Sequence, residues 1–316
     1  MSILIEEIEK AESIAIVGHT RPDGDCVGST SALYHYIREN YPKKQLFYFL
    51  EQVPKLIEKN LSVPERTDEE SFNHDIDLFI SLDISAKDRM TVGSKSFDKA
   101  KKTFVIDHHK TNPGFGDINI IKAGYSSASE VLFELLDYDK ISLNTATSLY
   151  LGIVFDTGVF KYSATTESTM IAAGKLLSKG VDSARIIDNS FYSKTWKQNK
   201  LLARAIDNAE ISDNGLIAYT VLSDEDMIEF SATAEDTEGV VEQLRLTDGV
   251  EVAFFLREDK PGFFKGSLRD KTGVVDVSLV ASVFGGGGHA MAAGFSISGT
   301  RAEAIDLVLR EINKQL

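Results

Sequence analysis

The chain has 316 residues, is 43% apolar and 26% charged, and carries a formal net charge of −14. That length and composition predict a globular protein of about two domains, each with enough apolar material for its own core. A single cysteine, Cys26, excludes an internal disulfide framework, and the acidic balance argues against a broad duplex-binding surface. The first residues, MSILIEEIEK, lack the features of a signal peptide, and no apolar run approaches the roughly 20 residues of a membrane span. The expectation is a cytoplasmic protein with no membrane partner and no long duplex partner.

In chain order, Ile3–Ala11 predicts a short helix and Ser13–Gly18 a buried strand closed by His19. A Pro/Gly/Asp turn follows, then a helix over about Gly28–Asn40. Strands are expected at Gln45–Leu50, Asp77–Leu82 and Thr103–Ile106, with helical or irregular stretches at Val53–Lys59 and Phe97–Lys101. An apolar helix is expected over about Thr145–Phe155. Strands alternating with helices predict an α/β domain, a mainly parallel sheet with helices on both faces, over residues 1–190. A polar connector helix is expected over 191–212 (TWKQNKLLARAIDNAEI). Residues 213–316 predict a smaller α+β domain. Its strands are expected at Gly215–Leu222, Val250–Arg257, Gly262–Leu268 and Gly294–Ile297, and its helices at Thr237–Arg245, Asp276–Phe284 and Arg301–Asn313. The glycines Gly285–Gly288 read as a loop.

Three strands run straight into polar residues: His19, Asp83, and Asp107-His108-His109. Sites in open α/β sheets form beyond the carboxyl ends of strands, so one rule gathers these groups at one edge. Pro22 and Gly24 tighten the turn that carries Asp23 and Asp25, and Asp156-Thr157-Gly158 ends the apolar helix. Each segment alone has an ordinary explanation: Asp and Gly make turns, and Asp25 or Asp83 could cap a helix. Together, clustered carboxylates repel one another, and divalent cations resolve that repulsion. Mixed oxygen and imidazole donors suit Mn²⁺, and also Zn²⁺, Co²⁺ or Fe²⁺, whereas Mg²⁺ prefers more oxygen and water. The ligand number fits two ions better than one.

The segments HTRPDGD, SLD, DHH and FDTG, in that order and with GGGGH near the end, resemble the DHH phosphoesterase superfamily. The form His-x-Arg-Pro-Asp with GGGGH is most similar to its nano-RNase and pAp-phosphatase branch. The resemblance implies that His19, Asp23 and Asp83 hold one metal, and that Asp25, Asp83, His108 and Asp156 hold the other. It implies that Asp107 orients an imidazole and that His109 meets the scissile phosphate or the leaving oxygen. In the second domain it implies that Arg269, Gly286, Gly287, Gly288 and His289 hold the far end of the substrate. The implied cofactors are two divalent ions, Mn²⁺ first, with Mg²⁺ or Co²⁺ as alternatives. The implied substrates are pAp and short RNA or DNA oligonucleotides. Linear or cyclic dinucleotide messengers are the rival class, and homodimerisation stays open. Two departures stand out: Cys26 where a small residue such as Ala is common, and Asp270 in place of a Ser beside Arg269.

Overall fold

The computed structural model describes residues 2–316. The chain divides into two compact units, Met1–Ser193 and Lys194–Leu316.

The first unit is built on five parallel strands: β1 (Ser13–Val17), β2 (Gln45–Phe49), β3 (Leu78–Leu82), β4 (Thr103–Asp107) and β5 (Ile118–Ile121), in the order β2-β1-β3-β4-β5. The strands are short, and β1 and β3 are buried along their whole length, because both sheet faces are covered. One face packs Ile14, Ile16, Ile80 and Ile106 under α1 (Ile3–Lys10), α2 (Gly24–Asn40), α3 (Ala128–Leu135) and α4 (Leu143–Asp156). The other packs Ala15, Val17, Phe79 and Val105 under shorter pieces that contribute Met90 and Phe97. The order reverses between β2 and β3, both of which flank β1. This is the switch point beyond which such sheets bind ligands.

Two local expectations are corrected. Helix α2 begins at Gly24 rather than Gly28, because Asp23 caps it by accepting from the backbone N–H groups of Asp25 and Cys26 at 3.1 Å. Asp25 therefore lies in the first helical turn, where a carboxylate suits the helix dipole, and is not the cap. Strand β5 and helix α3 have no counterpart in the sequence reading.

The second unit holds a six-stranded mixed sheet of β6 (Glu210–Ile211), β7 (Ile217–Leu222), β8 (Val252–Lys260), β9 (Phe263–Asp270), β10 (Gly287–His289) and β11 (Ala292–Ser298), in the order β10-β11-β9-β8-β7-β6. The polar helix covers Trp196–Asp207, and its Leu201 and Ala205 pack into this unit's core, against Ala218, Leu222 and Phe255. The four-glycine segment is not a free loop. Gly287 and Gly288 belong to an edge strand paired with β11, closed by a tight turn at Ala290-Met291. A Cβ at Gly286 or Gly288 would run into the β11 backbone, so close strand packing accounts for two of the four glycines.

Candidate metal centre

At the carboxyl edge of the parallel sheet, β1 ends in His19, β3 in Asp83 and β4 in Asp107-His108-His109. Asp83 is 3% exposed and adopts a left-handed backbone (φ 57°), which Asp tolerates better than bulkier residues. Its Oδ2 lies 3.5 Å from His19 Nε2, and its Oδ1 lies 3.6 Å from His108 Nε2 and 3.7 Å from His109 Nδ1. His19 Nε2 is also 3.7 Å from Asp23, and His108 Nε2 is 3.1 Å from Asp156. Asp83 thus stands between two sub-clusters.

Asp25 and Asp156 come from α2 and α4, which cross closely. The crossing depends on Gly28 and Gly152: a Cβ on Gly28 would lie 2.6 Å from the Ser148 carbonyl oxygen, and one on Gly152 would lie 2.6 Å from Asp25 Oδ1. The Asp25 carboxylate is fully buried and accepts from Ala128 N–H at 2.6 Å and Ser129 N–H at 3.0 Å, the opening amides of α3. Asp156 is the last residue of α4. Thr157 staples the turn after it, donating to the Ile153 carbonyl (2.6 Å) and accepting from Phe160 N–H (3.0 Å). Gly158, Val159 and Phe160 then run in the left-handed region, where a side chain on Gly158 would also strike the Tyr162 ring.

The ring nitrogens are oriented from behind. His19 Nδ1 donates to its neighbour's carbonyl, Thr20 O, at 2.7 Å, and His108 Nδ1 lies 3.4 Å from the Tyr125 carbonyl. In both, Nε2 is left to face the acids, the usual second-layer arrangement of a ligating histidine. His109 Nδ1 donates to Asp107 at 2.7 Å, and Asp107 also accepts from His108 N–H and from the Asn112 amide.

The charges follow from this crowding. Burial raises the Asp25 carboxyl well above the carboxylate range, and Asp83 and Asp156 push it further. Burial raises Asp156 too, against the pull of His108. Burial alone would lower His108, but Asp156 and Asp83 overrule it and lift the imidazole to about 11. His19 is raised in the same way by Asp23 and Asp83. The Asp107 bond raises His109.

Among the described residues, Asp83 Oδ1 and His108 Nε2 are buried without a hydrogen-bond partner. Such groups are costly inside a protein unless something else satisfies them. Asp83, Asp107, His108 and His109, then His19, Cys26 and Asp83, then Asp25, His108 and Asp156 form overlapping groups whose donor atoms lie within 4.8 Å of one another. This donor set fits divalent metal ions.

The sequence reading missed several supporting residues. Glu51, just past β2, accepts from Thr20 Oγ1 and Arg21 N–H at 2.9 and 2.8 Å and so pins the His19 loop. Asn112 holds Asp107, and α3 holds Asp25. Cys26 Sγ accepts from His19 N–H at 3.2 Å, and burial pushes its thiol up to about 12.

In the second unit Arg269 lies on β9 and is half-buried, while Gly287, Gly288 and His289 are exposed on β10. Asp270 alternates to the buried side, where it accepts from the Gly273 and Val275 backbone N–H groups. It therefore shapes the turn after β9.

Residues 13–153 match the DHH family, N-terminal domain, and residues 213–316 match the DHHA1 domain. The chain is 31% identical to the bifunctional oligoribonuclease and PAP phosphatase of Bacillus subtilis, over 93% of this chain and 92% of that protein. It is equally identical to a probable bifunctional oligoribonuclease and PAP phosphatase of Streptococcus mutans, over 92% of this chain and 91% of that one. An exopolyphosphatase-related protein from Bacteroides fragilis has a similar fold (TM-score 0.81, 26% identity, covering 98% of this chain and 94% of that one). The chain belongs to the DHH family of metal-dependent phosphoesterases, hydrolases of phosphoester bonds, in the group that includes these bifunctional oligoribonucleases and PAP phosphatases.

Proposed function

We propose that this protein releases 5′-mononucleotides from oligoribonucleotides of a few units and splits pAp into AMP and phosphate, using two divalent ions. The observation that carries the proposal is the pair of buried atoms with no hydrogen bond among the described residues, Asp83 Oδ1 and His108 Nε2, inside a cluster of carboxylates and imidazoles. The names of the relatives supply the substrate class. His19, Asp23 and Asp83 would hold one ion. Asp25, Asp83, His108 and Asp156 would hold the other, with Asp83 shared. Mn²⁺ suits the mixed donors best, with Mg²⁺ or Co²⁺ as alternatives. When bound, such a pair acidifies water and offsets phosphate charge.

The chain's own residues do the rest. Asp107 fixes the His109 ring through Nδ1 and favours its charged form, so Nε2–H can donate to the phosphate or to the departing oxygen. Burial of Asp25 and Asp83 keeps bulk water away from the carboxylates that would do the ligating. On the second unit, Arg269 offers a planar, permanently charged fork for the non-scissile phosphate. The Gly286–Gly288 backbone and His289 would complete that end. No described helix is long and apolar enough to cross a membrane.

The test is side-by-side turnover of pAp, a short RNA, pApA and cyclic di-AMP with Mn²⁺, repeated after chelation. Metal-dependent release of AMP and of mononucleotides is the expected result. Preferential turnover of pApA or cyclic di-AMP would move the assignment to a dinucleotide phosphodiesterase.

A further inference from the structure

Strands β8 and β9 place a row of cations on one face of the second unit's sheet. Lys265, Ser267 and Arg269 alternate onto the same side of β9, and Arg257 on β8 stands directly opposite Lys265. These side chains line a pocket of about 250 Å³. Gly239 also lines it, and the Lys194 ammonium approaches Gly239 so closely that a Cβ there would lie 2.9 Å from Nζ. Among the described residues, Glu238 is the one acid in the lining.

Like charges placed directly opposite on neighbouring strands destabilise a sheet. Arg257 is partly matched by Asp259, at 2.6 and 3.1 Å. Lys265 donates to the Ser296 hydroxyl (2.9 Å) and lies over the Phe263 ring, and Arg269 donates to its neighbour's carbonyl, Leu268 O (2.9 Å). Lys265 and Arg269 have no ion pair among the described residues. In a chain with 48 acidic and 34 basic residues, two cations on one sheet face without an acidic partner mark a place where an outside anion completes the charge balance.

The spacing indicates which anion. Four residues of extended strand separate Lys265 from Arg269, a span of about 13 Å at about 3.3 Å per residue. That corresponds to two phosphate-to-phosphate steps along an extended single strand. A mononucleotide bisphosphate is too short to reach both ends.

We propose that Lys265 and Arg257, with Lys194 at the rim, form a subsite for a backbone phosphate of a single-stranded oligonucleotide, about two nucleotides from the phosphate at Arg269. This rests on the substrate class proposed above and adds a length-selecting element to it. Positively charged grooves that track a backbone in this way bind without regard to sequence.

The experiment compares wild type with Lys265→Ala, Arg257→Ala and Lys265→Arg. It measures kcat and KM on pAp and on a five-nucleotide RNA, and the anisotropy of a fluorescent, phosphorothioate-linked five-nucleotide RNA at several salt concentrations. In the alanine variants, kcat/KM on the RNA should fall about tenfold more than on pAp, through KM. The salt dependence of binding should become shallower by about 0.7 in log–log slope per cation removed. Lys265→Arg should restore most of the loss. Equal losses on pAp and RNA, or RNA affinity and salt slope unchanged from wild type, would overturn the subsite. Should wild type turn over neither substrate, the proposed function falls, and the anisotropy series still decides the subsite: weaker binding in the alanine variants supports it and unchanged binding rejects it.

Discussion

The candidate metal centre of the first unit and the cationic sheet face of the second solve opposite problems. The first concentrates like charges where water is scarce. Three strand ends and two helices deliver acids and imidazoles to a buried point, and glycines at the α2–α4 crossing allow the approach. The second spreads charge along an open strand, where alternation alone sets the spacing and side chains keep their contact with water. Changes in the first region should therefore act through metal affinity, on every substrate alike. Changes in the second should be graded, sensitive to salt and dependent on the substrate.

The sharpest way to break this contrast is Asp83→Ala. Removing the carboxylate proposed to be shared should lower turnover of pAp and of RNA by about a thousandfold or more, as expected for loss of the main electrostatic element of a site. Substantial activity in that variant would reject a shared ligand. Gly152→Ala is the next test, because its methyl group would intrude on Asp25 and Ser129. Manganese affinity, measured by calorimetry, should fall by about 10–100-fold, the range for disturbed ligand support. In the second region, Arg269→Ala should raise KM about 10–100-fold while leaving manganese affinity at the wild-type value, as the loss of charged hydrogen bonds predicts. A parallel loss of metal would erase the distinction between the two regions.

A pH experiment sharpens the comparison further. In the metal-free protein, the charged His108 imidazole contributes stability that is complete below its ordinary value of 6.5 and drains away as pH rises toward about 11. Asp25 acts in the same direction, since burial favours its neutral form and charging it at higher pH costs stability. The metal-free protein should melt about 4 °C lower at pH 9 than at pH 6, and saturating Mn²⁺ should close that gap. A metal-free melting temperature that rises over the same interval would contradict this reading. The smallest effect belongs to Glu51→Gln, which weakens the hold on the Thr20–Arg21 loop. Its manganese affinity should drop by about tenfold or less, with the melting temperature unchanged.

Much of this architecture is legible in the sequence because strand ends announce themselves: an apolar run that stops at His19, at Asp83 or at Asp107 places each group at one edge. The support behind those groups is only partly legible in the sequence. Helix α3 holds Asp25 through its first amides, and its start was readable, since Ser127 followed three residues later by Glu130 is a helix-start signature that the structure confirms with the Glu130 N–H donating to Ser127 Oγ. Glu51 and Asn112 carry no such local signal, because their roles depend on loops brought together only by the fold. The early start of α2 was hidden for another reason. Asp23 serves at once as a turn residue, a helix cap and a neighbour of His19, and local pattern alone does not separate those roles.

The most direct measurement is the number of Mn²⁺ ions bound per chain, by equilibrium dialysis and elemental analysis, for wild type and for Asp83→Asn. Two ions on the wild-type chain and loss of at least one in the variant are the predicted result. A wild-type chain that binds none, or a variant that binds two as tightly as wild type, would contradict the paired-metal centre.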